Sequence, residues 1–405
     1  ERTAEELAKL FSWWLANEDG DFRELAKRTL ELDAEAAKIR ARGGVAHVMN
    51  ERGDAPTAYI LFRGEYDQRR EKVSADTPDA LPPLAKDLPR NRLGLARWLL
   101  RPDHPLTARV TVNRFWQEVF GDGIVRTAGD FGVSGEQPSN PELLDWLAVE
   151  FRESGWDVKR FFKLLVTSAA YRQSAIATPE KQAKDAPNRL LSRGPRFRMD
   201  GEMIRDYALA ASGLLVRKIG GPSVKPYQPE GVWEAVAMME SNTRNYKRDS
   251  GEALYRRSAY TFWKRAAPPA LMDVFNAPSR ENCSVRRERT NTPLQALATL
   301  NDPQFVEAAR ALAERTLKEG APSDDARLDR MALRALSRPF RPEEKKIVAA
   351  SLAELLAHYR AQPAAARELL AVGESKRDAS LDPATHAAWT MLANEILNLD
   401  EAINK

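Results

Sequence analysis

The sequence has little cysteine and little histidine. Cys283 is the only cysteine among 405 residues, which excludes a disulfide framework and any zinc, iron–sulfur or covalent haem site built from several cysteines. The four histidines stand far apart, and none has the spacing of a metal-ligand motif. We therefore expect no metal site and no cofactor within this chain.

Long apolar runs are also missing. No apolar stretch approaches the ~18 residues that a membrane-spanning helix needs, so we expect no membrane span. At 43% hydrophobic residues the chain can nevertheless bury a substantial core, and it is too apolar to be disordered. Its length predicts one large domain or two to three smaller ones.

The net charge is small. Lysine and arginine total 62 against 58 acidic residues, which gives +4, and 44 of the basic residues are arginine. A nucleic-acid-binding domain concentrates basic charge on one face, so this balance argues against a nucleic-acid partner. The arginine excess has two open explanations: a GC-rich genome, or the pairing of guanidinium groups with carboxylates and other anions.

Hydrophobic periodicity predicts a mainly α-helical fold. Apolar residues recur with a 3.6-residue period through most segments, so we expect roughly 55–65% of the residues to be helical and the helices to form an orthogonal multi-helix array. Two short β-like runs, 45–49 and 57–62, are separated by a Gly-Asp-Ala-Pro turn. They predict a small hairpin or sheet edge in the N-terminal third.

The positions of Gly- and Pro-rich stretches along the chain predict four segments. Residues 1–44 are expected to form a helical arm, 45–90 a small β segment and a Pro-rich linker, 91–350 a helical core domain, and 351–405 a C-terminal helical extension. The sequence begins at Glu1 rather than at a methionine, so we expect a piece of a longer polypeptide.

One predicted helix carries polar residues on its apolar face. In residues 105–120, Arg109 and Asn113 lie one turn apart within that face. A buried unpaired guanidinium costs several kcal/mol, so Arg109 must meet a carboxylate, carbonyl groups or a ligand. It forms either an internal ion pair that holds the neighbouring loop or an anion-binding site. Asp130, in the Gly-rich loop 121–135, is a candidate member of the same site.

Glu202 and Asp206 lie together on the flank of another predicted helix, residues 201–215. Like charges four residues apart repel each other mildly unless a cation lies between them. A metal ion or a catalytic proton could fill that place. Arginines immediately upstream offer a simpler clamp, and these are Arg193, Arg196 and Arg198.

The best candidate anion site is the segment 280–291, which ends at a predicted helix N-terminus. Backbone N–H groups there, together with arginines, suit a phosphate, a sulfate or a carboxylate. The alternative is that Glu281 and Glu288 neutralise these arginines within the segment. The candidate residues are Arg280, Arg286, Arg287, Arg289 and Asn291.

Several phrases of the sequence together resemble a known family. They include HPLTARV at 104–110, FGDGIV at 120–125, PELLDWL at 141–147, RTNTPLQAL at 289–297 and LNDP at 300–303. In this order they resemble the domain-of-unknown-function family 1553, a planctomycete-specific C-terminal domain found after cytochrome c-like modules.

The resemblance implies a large multidomain protein that is exported to the periplasm or the cell surface. It also implies a haem c bound by a CxxCH motif in sequence upstream of this chain, and some relatives carry carbohydrate-binding modules. No catalytic residues are established for the family. Asn140 stands where relatives commonly show His, and Asn276 where Asp is usual. Because Asn caps helices well, a structural role is favoured at both positions.

Two functions remain. The first is a non-catalytic helical binding or scaffold module of an exported, cytochrome c-linked protein in polysaccharide utilisation. Its partners would be upstream domains of the same polypeptide, another protein or an anionic glycan. The alternative is a hydrolase or lyase acting on anionic polysaccharide, with Arg109, Asp130, Glu202, Asp206 and the 286–289 loop in one pocket. Convergence of these side chains on one open cleft would favour a ligand site, and an internal partner for each would favour a scaffold.

Overall fold

Helix dominates the structure, as the 3.6-residue periodicity predicts. The computed structural model describes residues 2–43, 46–54 and 57–404, and it divides into two units between Trp98 and Leu99. Helix accounts for 52% of it, in 17 α-helices among the described residues, beside one small two-stranded sheet. The division into four segments at residues 44, 90 and 350 stays a prediction.

The N-terminal unit starts with two consecutive helices, α1 (Ala4–Asn17) and α2 (Gly20–Arg42). A capping box begins α1, and the Asp19 side chain accepts a hydrogen bond from the Phe22 N–H at the start of α2. Neither helix buries a side chain. The same unit contains nearly all of α3 (Arg92–Leu99), where the Trp98 indole N–H donates to a backbone carbonyl at 2.6 Å.

The predicted hairpin is present, but one of its strands differs from the expectation. Strand β1 (Ala58–Leu61) pairs antiparallel with β2 (Arg69–Val73). The run 45–49 was expected to supply a strand; Val45 lies outside the described residues and 46–49 form no strand, so that prediction is wrong where it can be tested. Sequence periodicity missed β2 because four of its five residues are polar and both strands are exposed, which leaves no apolar alternation.

The second unit begins with three helices around an aromatic core. These are α4 (Thr107–Phe120), α5 (Pro141–Glu153) and α6 (Val158–Thr167). Their buried side chains include Phe151 and Phe161, whose ring centroids lie 5.2 Å apart. Because these helices share one buried core, their packing sets the positions at which the connecting loops begin and end.

The remaining helices build the rest of the second unit. They are α7 (Ala169–Arg172), α8 (Pro179–Lys184), α9 (Gly201–Ser212), α10 (Ala270–Val274), α11 (Pro293–Asn301), α12 (Pro303–Lys318), α13 (Asp324–Leu336), α14 (Pro342–Ala361), α15 (Pro363–Leu370), α16 (Pro383–Leu397) and α17 (Asp400–Ile403). None of the described helices is long and apolar enough to cross a membrane.

The largest core lies among α12 to α16 and is rich in alanine. Ala309, Ala313 and Ala387 are fully buried, and Trp389 is 1% exposed. Small side chains let the backbones of α12 and α16 approach closely, so this part of the unit is a dense helical platform. Helix α9 also packs on α12, and Glu202 in its first turn contacts Arg287 in one of the loops described next.

Candidate anion-binding cleft

Three loops meet at the C-terminal end of α4 and enclose a cavity of about 350 Å³. They are residues 121–126, 187–197 and 286–289, and we call the cavity the arginine cleft. Its lining includes a single carboxylate, Asp122. The lining arginines number six, namely Arg126, Arg189, Arg196, Arg286, Arg287 and Arg289.

The first wall of the arginine cleft is held by a buried amide. The Asn113 side chain, fully buried in α4, donates to the Val125 carbonyl at 2.9 Å and accepts from the Val125 N–H at 2.8 Å. Gly121 caps the C-terminal end of α4; its φ of 91° favours glycine, and a Cβ there would lie 2.7 Å from the Phe197 ring. Asn113 therefore positions the wall of the cleft without lining it.

Arg109 and Asp130 do not line the arginine cleft. The Arg109 Nε donates to Asp145 Oδ1 at 2.7 Å and its Nη1 to the Pro105 carbonyl at 2.7 Å, which joins α4 to α5. This guanidinium lowers the pKa of the Asp145 carboxyl through its hydrogen bond. Asp130 accepts a hydrogen bond from the Gly132 N–H at 2.8 Å, inside its own turn. For both residues the structure shows an internal partner.

Arginines pair with both Glu202 and Asp206, but the expected Arg193, Arg196 and Arg198 are not among them. Asp206 lies 3.6 Å from Arg205, which directly precedes it. Glu202 accepts a hydrogen bond from Arg287 Nη1 at 2.6 Å. Asp206 lies 3.5 Å from Arg257 Nε and accepts from the Ser258 N–H at 2.7 Å. The two carboxylates therefore turn to different partners, and only Glu202 is linked to the arginine cleft.

Asp200 is a carboxylate that sequence reasoning missed. It lies 3.7 Å from Arg287 Nε and 3.7 Å from Arg289 Nε, and its side chain is only 8% exposed. Its place directly before α9 is typical of a helix N-cap, but its side chain makes no capping hydrogen bond. Instead its carboxylate lies close to two arginines that line the cleft and supplies their counter-charge.

Arg287 and Arg289 are fixed by these contacts. Burial acts to lower the pKa of Arg287, but the hydrogen bond to Glu202 and the charges of Glu202 and Asp200 outweigh it and raise that pKa. Arg289 donates to the Gly121 carbonyl at 2.9 Å, and its guanidinium lies 4.2 Å from the Phe197 ring centroid. Both side chains are therefore preorganised.

Other arginines of the cleft keep donors unused. Arg286 is exposed, and no hydrogen bond or ion pair of its side chain involves any residue that the structure describes. Arg126 lies 3.9 Å from Asp122, and Arg189 lies 3.8 Å from Glu136. These two separations are too long for hydrogen bonds, so the guanidinium groups can still donate to a ligand.

The remaining candidates of the segment 280–291 lie outside the arginine cleft. The Arg280 guanidinium lies 4.3 Å from the Trp263 ring centroid and lines a neighbouring cavity. Asn291 is exposed just before α11 and lines neither cavity. Helix α11 begins with the capping box that its sequence predicts.

The acids of the segment do not neutralise its arginines. Glu281 lies 3.5 Å from Arg265, which is outside the segment. Glu288 is exposed and makes no ion pair with any described residue. The counter-charges for this loop come from α9 and the residue before it, a link between distant parts of the chain that only the fold creates.

The start of α5 adds a positive end to the arginine cleft. Asn140 lines the cleft, and its Oδ1 accepts a hydrogen bond from the Leu143 N–H at 3.1 Å, as expected for an N-cap. The N-terminal end of a helix carries partial positive charge, which favours an anion nearby. Asn276 has a φ of 56° and donates to Thr290 Oγ1 at 2.7 Å, so it too has a structural role.

The family described as "Protein of unknown function (DUF1553)" matches residues 91–352. The chain belongs to this family. The match confirms the resemblance seen in the sequence phrases, and it contains every residue that lines the arginine cleft. No curated protein and no solved structure matches the chain. The planctomycete origin stays a prediction.

This DUF1553 chain does not have the ligands that a c-type haem requires. Covalent attachment through a CxxCH motif uses two thiols and a histidine close together, whereas the chain holds one cysteine, Cys283, which is exposed. Within the described residues, no three His, Cys, Asp or Glu side chains are grouped so that they could hold a metal ion.

Proposed function

We propose that this DUF1553 domain is a non-catalytic module that binds an anionic group of a glycan, a sulfate or a uronate, in the arginine cleft. The observation that carries the proposal is the open Arg286 side chain in a cleft lined by six arginines and one carboxylate. Three of the other arginines, Arg196, Arg287 and Arg289, already pair with carboxylates outside the lining. A guanidinium binds carboxylates and sulfates through two parallel hydrogen bonds. A cavity of about 350 Å³ also has the size of a small-molecule site.

Apolar side chains complete the cleft in a way that suits a sugar. Trp116 and Phe120 line it, although they are only 8% and 7% exposed, and the ring of Phe197 lies beside Arg289. Ligand sites commonly combine an apolar wall with a few polar groups that set the orientation. A sugar ring against this wall would direct its charged substituent toward the arginines.

The arrangement favours binding over catalysis. Most glycoside hydrolases use two carboxylates about 5–10 Å apart, and the residues that line the arginine cleft include only Asp122. The side chains that an enzyme would need to gather, Arg109 and Asp206 among them, have internal partners away from the cleft. We therefore prefer a binding module to a hydrolase or lyase.

Family membership supports the wider context of the proposal. The module would belong to an exported, cytochrome c-linked multidomain protein, in the periplasm or at the cell surface, that takes part in polysaccharide utilisation. Haem c would be bound upstream of this chain, and upstream domains would be its partners within the polypeptide. An arginine-rich cleft for anionic glycans agrees with the carbohydrate-binding modules that some relatives carry.

Calorimetric titration of the purified chain tests the proposal. The ligands are oligogalacturonate, a sulfated galactan fragment and a neutral cello-oligosaccharide, and the variant is Arg126→Gln with Arg286→Gln. We expect an anionic ligand to bind, the neutral one not to bind, and the variant to lose at least about tenfold in affinity. The matched control is Arg217→Gln. Arg217 is exposed, makes no ion pair with any described residue, and lines neither this cleft nor the neighbouring cavity.

Two results would overturn the proposal. The first is that no anionic ligand binds, or that the variant binds as tightly as the unchanged chain. The second is the release of new reducing ends or of unsaturated sugars from the anionic glycans, because a module without catalysis leaves its ligand intact. In that case the hydrolase or lyase alternative replaces it.

A further inference from the structure

A second cavity adjoins the arginine cleft. It has a volume of about 550 Å³ and is lined by one face of α4 and by residues 278–287. The sole cysteine of the sequence lines it, so we call it the Cys283 cavity. Arg286 and Arg287 line both cavities, which makes the two spaces neighbours across one short stretch of backbone.

The Cys283 cavity is also basic. Besides the two shared arginines it is lined by Arg114 and Arg280, against the carboxylates of Glu118 and Glu281. Arg114 is exposed and makes no ion pair with any residue in the described part of the chain. One of the two acids, Glu281, already lies 3.5 Å from a partner outside the cavity. An anion in this cavity therefore meets guanidinium groups with unused donors.

Arg286 has the most favourable position of the shared residues. Arg287 is already bound to Glu202, whereas the Arg286 side chain is exposed and open to both cavities. A ligand that carries charges at intervals along a chain can place one charge in each cavity and pass Arg286 between them. A single small anion occupies only one of these two sites, which under the proposed function is the arginine cleft.

We infer that the arginine cleft and the Cys283 cavity are consecutive subsites for one linear polyanionic glycan, with Arg286 between them. This inference rests on the proposed function and adds a minimum ligand: an oligosaccharide with at least two charged sugars. Linking two charged groups makes the second contact intramolecular, which raises affinity beyond that of either group alone.

Cys283 provides a local reporter for the test. It is exposed and lies in the second cavity, so iodoacetamide, an uncharged reagent, should alkylate it in the free protein. The ligands are galacturonic acid and tetragalacturonate, with maltotetraose as the neutral control. We expect the tetrasaccharide to bind at least about tenfold more tightly than the monosaccharide, and to slow alkylation at saturation, while maltotetraose leaves the rate unchanged.

Variants separate the two subsites. Arg114→Gln with Arg280→Gln should bring the affinity for tetragalacturonate close to that for galacturonic acid, and should leave the affinity for galacturonic acid unchanged. Arg286→Gln should weaken both ligands. Arg217→Gln, the matched exposed control, should change neither.

The outcomes distinguish the inference from the proposed function. Equal affinity for the two sugars, or an alkylation rate that tetragalacturonate does not alter, overturns the two-subsite inference while an effect of Arg286→Gln leaves the proposed function standing. If neither sugar binds, both fail. Tighter binding of a single-stranded oligonucleotide of the same charge would overturn the assignment to a glycan.

Discussion

Arg205 and Arg286 show two opposite uses of the same side chain. Arg205 lies in α9, is 1% exposed, and donates to Gln304 Oε1 and to the carbonyls of Leu254 and Arg256, each at 2.7 Å. Burial lowers its pKa to about 10, so the group is still charged at neutral pH. Arg286 is exposed and its guanidinium has no partner among the described residues. The fold therefore satisfies Arg205, whereas it leaves Arg286 available to a ligand.

The same contrast holds for acids. Glu307 in α12 is fully buried and accepts hydrogen bonds from the hydroxyls of Tyr227 and Tyr255 at 2.9 and 2.8 Å and from the Ser375 N–H at 2.6 Å. In the arginine cleft, the one lining carboxylate, Asp122, is exposed and makes no hydrogen bond with its arginine neighbour. The buried Glu307 carboxylate is therefore hydrogen-bonded within the fold, whereas Asp122 leaves its arginine neighbour free to donate elsewhere.

The strongest test of this comparison is Arg205→Gln. The substitution leaves the carbonyls of Leu254 and Arg256 without their donors in a buried place, so we expect the free energy of unfolding to fall by about 3–5 kcal/mol. Urea unfolding monitored by circular dichroism measures it, with Arg217→Gln as the exposed control. A loss below about 1 kcal/mol would show that the buried network is not what holds α9.

Removing an ion pair at the surface should lower the free energy of unfolding by less than Arg205→Gln and by more than the loss of an unpaired exposed arginine. Glu344 accepts two hydrogen bonds from Arg338, at 2.7 and 2.9 Å, and these lower its pKa to about 2. Because the folded pKa lies below the usual 4.5, the stabilisation is present above that pH and disappears as the pH falls toward 2.

We expect Glu344→Gln to lower the free energy of unfolding by about 0.5–1 kcal/mol at pH 7, and the difference from the unchanged chain to vanish near pH 2. Thermal unfolding over a pH series measures it. The control is Glu343→Gln, because Glu343 precedes Glu344 on α14 and makes no ion pair with a described residue. A pH-independent difference for Glu344→Gln would contradict the ion-pair explanation.

The smallest effect on stability should come from Arg286→Gln. An exposed side chain without internal partners contributes little, so we expect a change within about 0.5 kcal/mol. The same urea unfolding measures it. A loss above about 1 kcal/mol would mean that the fold itself uses this guanidinium, and would remove the contrast with Arg205.

Local sequence signals indicate several helix starts, because a helix start depends on residues a few positions apart. Asn140, Asp157 and Thr292 each accept the capping hydrogen bond that their sequence position indicates. Strand β2 could not be found in this way, since its exposed ladder is a backbone pairing between two short segments with no apolar pattern.

The candidate site was only partly predictable. The segment 280–291 was identified because its arginines are adjacent in sequence, and Arg286, Arg287 and Arg289 do line the arginine cleft. Arg126 and Arg189 were missed, because nothing in their local sequence distinguishes them from other arginines. Asp200 was missed because its contact with Arg287 joins residues that lie far apart in the chain.

By itself the sequence determined the helical class, the family and the presence of an arginine-rich loop, since each depends on short-range spacing or on phrases of adjacent residues. Only the tertiary structure decided which arginines find partners within the fold and which stay available to a ligand. Arg205 and Arg286 are indistinguishable as letters, but folding surrounds one with carbonyl groups and leaves the other between two cavities. The reason is that a charged side chain takes its role from the partners it meets, and those partners lie far away along the chain.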